Sequence, residues 1–262
     1  VKLVSGKYFK VLDADDWVDR QGLETFIREL ADCDSDVVIS NYREYDISRE
    51  KYTPRVSHLS DYKKTYCLSE LMEAWDKVHA CMAFWGITYR TDFYRRQGYE
   101  LLEGVFYEDQ EYATIPLSRA ETVSFSEASV YVYRLGDVNQ SVSGANQVKR
   151  IGHLAKVIRA LQAFESQTDG LPAGGFDYWK KKTVLVSFYQ ITLLVNPNRV
   201  QGERQADRLN AWLKRTSPLL FAAVYRKYRI FLLFHRVHMS ERTYRFLIPP
   251  LLRILRRFKI WS

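Results

Sequence analysis

At 262 residues, the chain is long enough for one large domain with an appendage, and its 47% hydrophobic and 15% aromatic content can fill a packed core. Seven prolines and twelve glycines exclude a fibrous or low-complexity chain, and Cys33, Cys67 and Cys81, odd in number and without a CxxC pair, exclude a disulfide framework or zinc knuckle. The net charge of +8 belongs to the tail: residues 218–262 hold ten Lys/Arg against one acid, Glu241, so the rest of the chain sums to −1.

Tyr8 to Leu12 is a short aromatic and apolar run that ends in Asp13-Ala14-Asp15-Asp16, which predicts a buried strand entering an acidic loop. Trp17 to Ala31 places Leu23, Phe26, Ile27 and Leu30 at helical spacing, and Asp36 to Tyr42 predicts a second buried strand. Strand, helix and strand in this order predict an α/β layer. Residues 43–66 are polar and irregular and read as a hairpin or excursion. Leu68 to Val78 predicts a helix, Cys81 to Tyr89 is apolar, and Glu108 to Ala120 predicts a helix with acids in its first turn. Thr122 to Phe125 and Val130 to Arg134 read as two short strands.

Beyond the loop around Gly136 to Gly144 the pattern becomes helical, over Val148–Phe164, Tyr178–Leu194, Gln205–Arg215 and Leu219–His235. The expectation is two regions: an α/β domain over 1–145 and an all-helical region over 146–262. No run of about 18 apolar residues is present to cross a bilayer. The free cysteines predict a reducing, cytoplasmic setting.

Three segments carry chemistry. Asp13 and Asp15, one residue apart at a strand end, form an oxygen-rich pair of the kind Mg²⁺ or Mn²⁺ takes while phosphate and water fill its other positions. The alternative is that Asp15 or Asp16 caps a helix beginning near Trp17. Tyr107-Glu108-Asp109-Gln110-Glu111-Tyr112 sets carboxylates at a helix start, where an ionised one could accept a proton from a hydroxyl. An ordinary acidic first turn is the alternative. Tyr131-Val132-Tyr133-Arg134 alternates as a strand, and Arg134 could fork onto phosphate or pair with a surface carboxylate. The polar stretch Asn139–Ser143 after it could close over a bound ligand. None of the five histidines has cage spacing, and neither a nucleophile motif nor a glycine-rich phosphate loop is present.

Gly6-Lys7-Tyr8-Phe9-Lys10-Val11-Leu12-Asp13-Ala14-Asp15-Asp16-Trp17 resembles the signature of family 2 glycosyltransferases, in which the acidic loop is the metal site. The Glu-Asp pair and the Tyr-x-Tyr-Arg strand follow in the family's order, so the resemblance covers about residues 1 to 145. It implies a partial GT-A, Rossmann-like mixed sheet followed by an all-helical C-terminal region, and an inverting, metal-dependent transfer from a nucleotide-diphosphate sugar, most often a UDP-sugar. Asp15 would be the direct metal ligand, and Asp13 would share the metal or contact the nucleotide. Asp109 would be the catalytic base with Glu108 beside it, and Arg134 would face the donor. Trp85-Gly86-Ile87 departs from the Asn-Lys that more often follows the family's Trp. The family's opening strand and nucleotide-binding helix do not precede Val1, so the expectation is a chain lacking its N-terminal nucleotide-binding segment. Gln147-Val148-Lys149-Arg150-Ile151 lacks the Trp of processive synthases, which favours single additions.

The basic tail mixes large apolar residues with Lys/Arg in Tyr225–Phe234 and Leu251–Trp261, the make-up of a helix lying in a membrane interface. The expected partners are therefore a nucleotide sugar, a glycan or lipid-linked acceptor, and the inner face of the cell membrane through residues 218–262. The alternative for the tail is a helix packed on the protein with a solvated basic face. A non-catalytic, glycosyltransferase-like scaffold is the competing function. Nucleic-acid binding is not expected, because no groove-reading or base-stacking motif accompanies the charge.

Overall fold

The computed structural model describes residues 1–136, 149–188, 191–194 and 198–237. The polar stretch Asn139–Ser143, Gln147–Val148 and the basic segment Leu251–Trp261 lie outside them. The chain forms two compact units, Val1–Thr183 and Val184–Ser262, so the contact boundary falls well past residue 145 and residues 149–183 belong to the first unit.

The first unit is built on a mixed six-stranded sheet. Its strands are β1 (Tyr8–Phe9), β2 (Trp17–Val18), β3 (Val37–Asp46), β4 (Lys51–Arg55), β5 (Ile87–Arg90) and β6 (Val123–Leu135), in the order β1-β5-β3-β6-β2 with β4 on the outer end of β3. β3 and β6 run parallel at the centre, and the remaining pairs are antiparallel. Val37 through Tyr42 are all buried, as a strand covered on both faces must be. Val37, Ile39, Tyr42, Phe125 and Tyr131 face the main core, while Val38 and Val130 face helix α1 (Arg20–Ala31) on the other side. The two expected strands over 122–134 are one strand. Its register against β3 slips between Ser40 and Tyr42, where β6 carries extra residues, and this bulge hid its continuity in the sequence.

The helix expected from Trp17 begins later. Trp17–Val18 pairs with β6 instead, and Asp19 caps α1 by accepting the Gly22 N–H at 2.8 Å. Phe26 is its buried anchor, a burial worth about 1.5–3 kcal/mol. The expected helix over 68–78 is two short ones, α2 (Leu68–Glu73) and α3 (Trp75–Val78). α4 (Thr91–Arg96) follows β5. The segment 108–120 is likewise broken into α5 (Asp109–Tyr112) and α6 (Ile115–Ser118), with Pro116 in the first turn of α6, where its missing N–H costs nothing. α7 (Ile151–Ala163) and the start of α8 (Gly175–Phe188) complete this unit. The Trp179 Nε1–H donates to Leu161 O at 2.9 Å and locks the two together.

The second unit contains α9 (Ile191–Leu194), α10 (Arg199–Thr216) and α11 (Pro218–Arg236). Ser217 ends α10 and starts α11, its hydroxyl accepting the Leu220 N–H at 3.1 Å. Ala206, Leu213, Leu220, Val224, Tyr228 and Phe231 are buried. The expected class, an α/β region followed by helices, is the one observed.

Candidate active site

The acidic loop leaves β1 and returns as β2, and β6 holds it at two points. Tyr131, fully buried, donates its hydroxyl hydrogen to Asp16 Oδ2 at 2.6 Å and accepts the Asp13 N–H at 3.0 Å. The Arg134 backbone N–H donates to Asp16 Oδ1 at 2.8 Å. Asp16 is therefore the fastener of the loop and not a helix cap. Asp13 and Asp15 stand exposed, and so do Val11 and Leu12, which the sequence placed in a buried strand. β1 pairs with β5 only over Tyr8–Phe9, and nothing in that ladder covers the two residues after Lys10.

Asp13 keeps access to solvent, yet protein packed around its carboxyl partly desolvates it, and this together with the negative charges of Asp16, Asp109, Asp15 and Glu108 pushes its pKa up to about 6. These charges come from two acidic segments that lie almost a hundred residues apart in sequence. Tyr133 stands between them. Burial raises its hydroxyl pKa first, and the charges of Asp16, Asp109, Glu44 and Asp13 raise it further. Its ring stacks on Trp85 with centroids 4.0 Å apart.

Gly86, next to that Trp, is explained by space. A Cβ there would lie 2.0 Å from Cys81 O, and the Gly86 carbonyl accepts the Ser40 N–H at 2.9 Å. The departure from the family's usual sequence follows from this tight turn onto β3.

Glu108 and Asp109 open α5 behind Tyr107, a non-glycine residue held at φ 75. Such a backbone persists only where its surroundings over-determine it. Asp109 accepts from Gln110 Nε2 at 2.7 Å. Its carboxyl is pushed up to about 6 by burial, with Glu108 adding to the rise and both Gln110 and Lys182 opposing it. A four-residue helix offers little dipole to offset this desolvation. At neutral pH the group is still mostly ionised, as a base must be.

Among the described residues no three His, Cys, Asp or Glu side chains converge as a ready metal cage. Two exposed carboxylates on a loop already crowded with negative charge nevertheless fit a hard divalent cation whose other ligands come from a diphosphate and water. Asp15 and Asp13 would hold it. Arg134 lies on β6 directly beyond the Asp16 fastening, with its charge felt at Asp16.

Three residues of the site were not singled out by the sequence. Tyr131 was noted only as one face of a strand. Lys10 lies over the Tyr131 ring at 5.7 Å, donates to Ile87 O at 3.1 Å, and burial pulls its pKa down to about 7. Lys182 comes from α8, buried at 7% exposure. Its spacing from Asp109 carries no local signal.

Glycosyltransferase GlyA of Streptococcus pneumoniae serotype 4 is 24% identical over 137 residues, 50% of this chain and 19% of that protein, so the chain spans about a fifth of the relative it matches. Two crystal structures of S. aureus TarS 1–349 superpose on it. One is 14% identical, with TM-score 0.42 over 92% of this chain and 69% of that one. The other, in complex with UDP, is 15% identical, with TM-score 0.40 over 92% and 70%. The family model described as Glycosyl transferase family 2 matches residues 1–103, which include the whole acidic loop.

Proposed function

We propose that the chain transfers a sugar from a nucleotide-diphosphate donor, a UDP-sugar, to a hydroxyl of a glycan or lipid-linked acceptor, with inversion at the anomeric carbon. The observation that carries this reading is that the charges of Asp16, Asp109, Asp15 and Glu108 all act on the Asp13 carboxyl, and those of Asp16, Asp109 and Asp13 on Tyr133. Asp109 takes the proton of the acceptor hydroxyl as its oxygen attacks the anomeric carbon and the nucleoside diphosphate leaves from the opposite face. Glu108 orients that base. Asp15, with Asp13, holds Mn²⁺ or Mg²⁺, which when bound neutralises charge on the diphosphate. Arg134 and Lys10 add positive charge on the same side.

The exposed side of α11 favours a peripheral seat on the anionic inner face of the cell membrane. Leu219, Tyr225, Leu233 and Val237 are exposed there beside Arg226 and Arg229. No described helix is long and apolar enough to cross a membrane.

Calorimetric titration of UDP into the protein with and without Mn²⁺, repeated on Asp15→Asn, tests the donor site. Binding that requires the cation and weakens at least tenfold in Asp15→Asn is expected, about 1.4 kcal/mol. Binding of equal strength in both proteins, or without the cation, removes the metal assignment.

A further inference from the structure

The central sheet has a second face, on the other side from the candidate active site. Residues opposite one another on neighbouring strands share a face, and so do residues two apart along a strand. On this face Val38 and Val130 pack against α1. Two residues beyond Val130, Val132 pairs with Trp17 on one side and with Arg43 on the other. Two residues beyond Arg43, Tyr45 pairs with Tyr52. Trp17, Arg43, Tyr45 and Tyr52 therefore stand together, on the face opposite to Tyr131 and Tyr133.

Three of these four side chains are aromatic, and their rings form a ledge. Trp17 and Tyr45 meet edge to face with centroids 5.7 Å apart, and the Tyr45 and Tyr52 rings lie 4.7 Å apart at 36°. The outer members remain open to solvent, Trp17 at 37% exposure and Tyr52 at 47%. Arg43 joins this ledge to a cavity. Its guanidinium lies 5.1 Å from the Tyr52 ring centre and donates to Asp19 Oδ2 at 2.5 Å. Asp19, Gln21, Thr25, Arg43 and Ser129 line a shallow, open cavity of about 300 Å³, the small end of the range for ligand sites.

Ledge and cavity together suit a sugar. One face of a pyranose ring presents C–H groups of partial positive charge, which settle on the negative face of an aromatic ring. Its rim carries hydroxyls, each both donor and acceptor, and these need donors and acceptors side by side. The cavity supplies both. Asp19 accepts from the Gly22 N–H and from Arg43, yet a carboxylate has about four acceptor positions, and a guanidinium has donors beyond the one that Asp19 takes. The Gln21 amide and the Thr25 hydroxyl add further groups of both kinds. The charges of Asp19 and Arg43 cancel, so the site attracts a neutral ligand over an ionic one. We propose that this face is a glycan-binding site separate from the active site: the ledge of Trp17, Tyr45 and Tyr52 carries one sugar ring of a neutral oligosaccharide, and the Asp19–Arg43 cavity takes the hydroxyls of its neighbour. The site goes beyond the transfer reaction and does not depend on it.

The test is saturation-transfer difference NMR on the protein with maltohexaose, cellohexaose and chitohexaose, followed by titration of each sugar that responds. At least one response is expected. Tyr52→Ala should weaken that binding roughly fivefold, whereas Tyr52→Phe, which keeps the ring, should hold it within about twofold of wild type. Gln21→Ala, on the exposed side of α1, should weaken it roughly threefold, and it decides the matter if Tyr52→Ala does not fold. Asp109→Asn, across the sheet, should leave the affinity within about twofold. Silence from all three sugars overturns the proposal, as does unchanged binding in folded Tyr52→Ala or, in its place, in Gln21→Ala. Binding lost in Asp109→Asn but kept in Tyr52→Ala puts the sugar in the active site instead, which leaves the transfer reading standing and defeats this one. Sedimentation covers the rival occupant: self-association that Tyr52→Ala abolishes, with no sugar response, makes the ledge an interface between copies of the chain and likewise overturns the proposal.

Discussion

The acids of the active site and the acids of the surrounding shell are treated in opposite ways. In the shell, Asp36, Glu44 and Asp19 each have a cation, and Asp36 and Asp19 have backbone donors besides. Asp36 pairs with Arg90 at 2.6 Å and accepts the N–H of Glu121 at 3.0 Å, and Glu44 takes a two-point contact from Arg55. Asp19 takes the Gly22 N–H and Arg43, and its carboxyl is held below the ordinary range, first by the Gly22 hydrogen bond. In the site, Asp13 and Asp109 are both pushed up to about 6 by desolvation and by one another's neighbours. Paired acids hold a fold together. Crowded acids with raised pKa values mark where a fold tolerates cost for chemistry, although ion-pair networks also perturb titration, so geometry must agree.

The largest expected effect tests that contrast at Asp109. Asp109→Asn should lower donor-to-acceptor transfer by roughly 10² to 10⁴, the range over which a positioned general base acts, while leaving UDP binding within a few-fold. Steady-state rates beside calorimetry check it. A variant that keeps more than about a tenth of the wild-type rate would break the distinction between the two kinds of acid.

An intermediate effect belongs to Tyr131, where the two classes meet. Tyr131→Phe removes a donor from Asp16 and an acceptor from the Asp13 N–H at once, leaving partly buried groups unsatisfied. A loss of about 1–3 kcal/mol in stability is expected, seen as a fall of about 2–4 °C in Tm per kcal/mol, together with weaker UDP binding in Mn²⁺. A Tm change without a binding change would mean that the fastening serves the fold and not the loop's geometry.

How much of this was legible beforehand depended on whether the signal was local. The acidic loop, Glu108–Asp109, β1 and the central strand β3 all announced themselves within a dozen residues, through apolar runs ending in acids. The continuity of β6 was hidden, because its bulge interrupts the alternation that marks a strand. The start of α1 was misplaced because Trp17 and Val18 satisfy a helical pattern as well as they pair with β6, and only the Asp19 cap decides between them. Lys182 was invisible for a different reason. Its placement is set by how α8 docks, through the Tyr178 hydroxyl on Ala113 O and the close approach of Gly174 and Gly175 to Ser69 and Ser118, and no spacing in the chain encodes docking.

The smallest expected effect lies at a shell acid, and its pH dependence has the opposite sign to that of the site. Glu70 accepts from Lys64 Nζ at 2.6 Å and from the Cys67 N–H at 2.9 Å, closing the start of α2. The Lys64 contact first, and the Cys67 N–H second, pull its carboxyl down to about 2 from the ordinary 4.5. Because the folded value is depressed, its stabilisation is present above pH 4.5 and is lost as pH falls toward 2. Asp109 behaves in reverse: its folded value is raised from 3.8 to about 6, so ionisation costs stability as pH rises through that range and costs it fully at neutral pH. Glu70 is solvent-exposed and screened, so Glu70→Gln should lower Tm at neutral pH by only about one or two degrees. That gap should narrow between about pH 5 and about pH 3, as the wild-type contribution drains away. A gap that stays constant over that range would assign the loss to packing at the helix start, and the contrast between paired and crowded acids would then hold in the site but not in the shell.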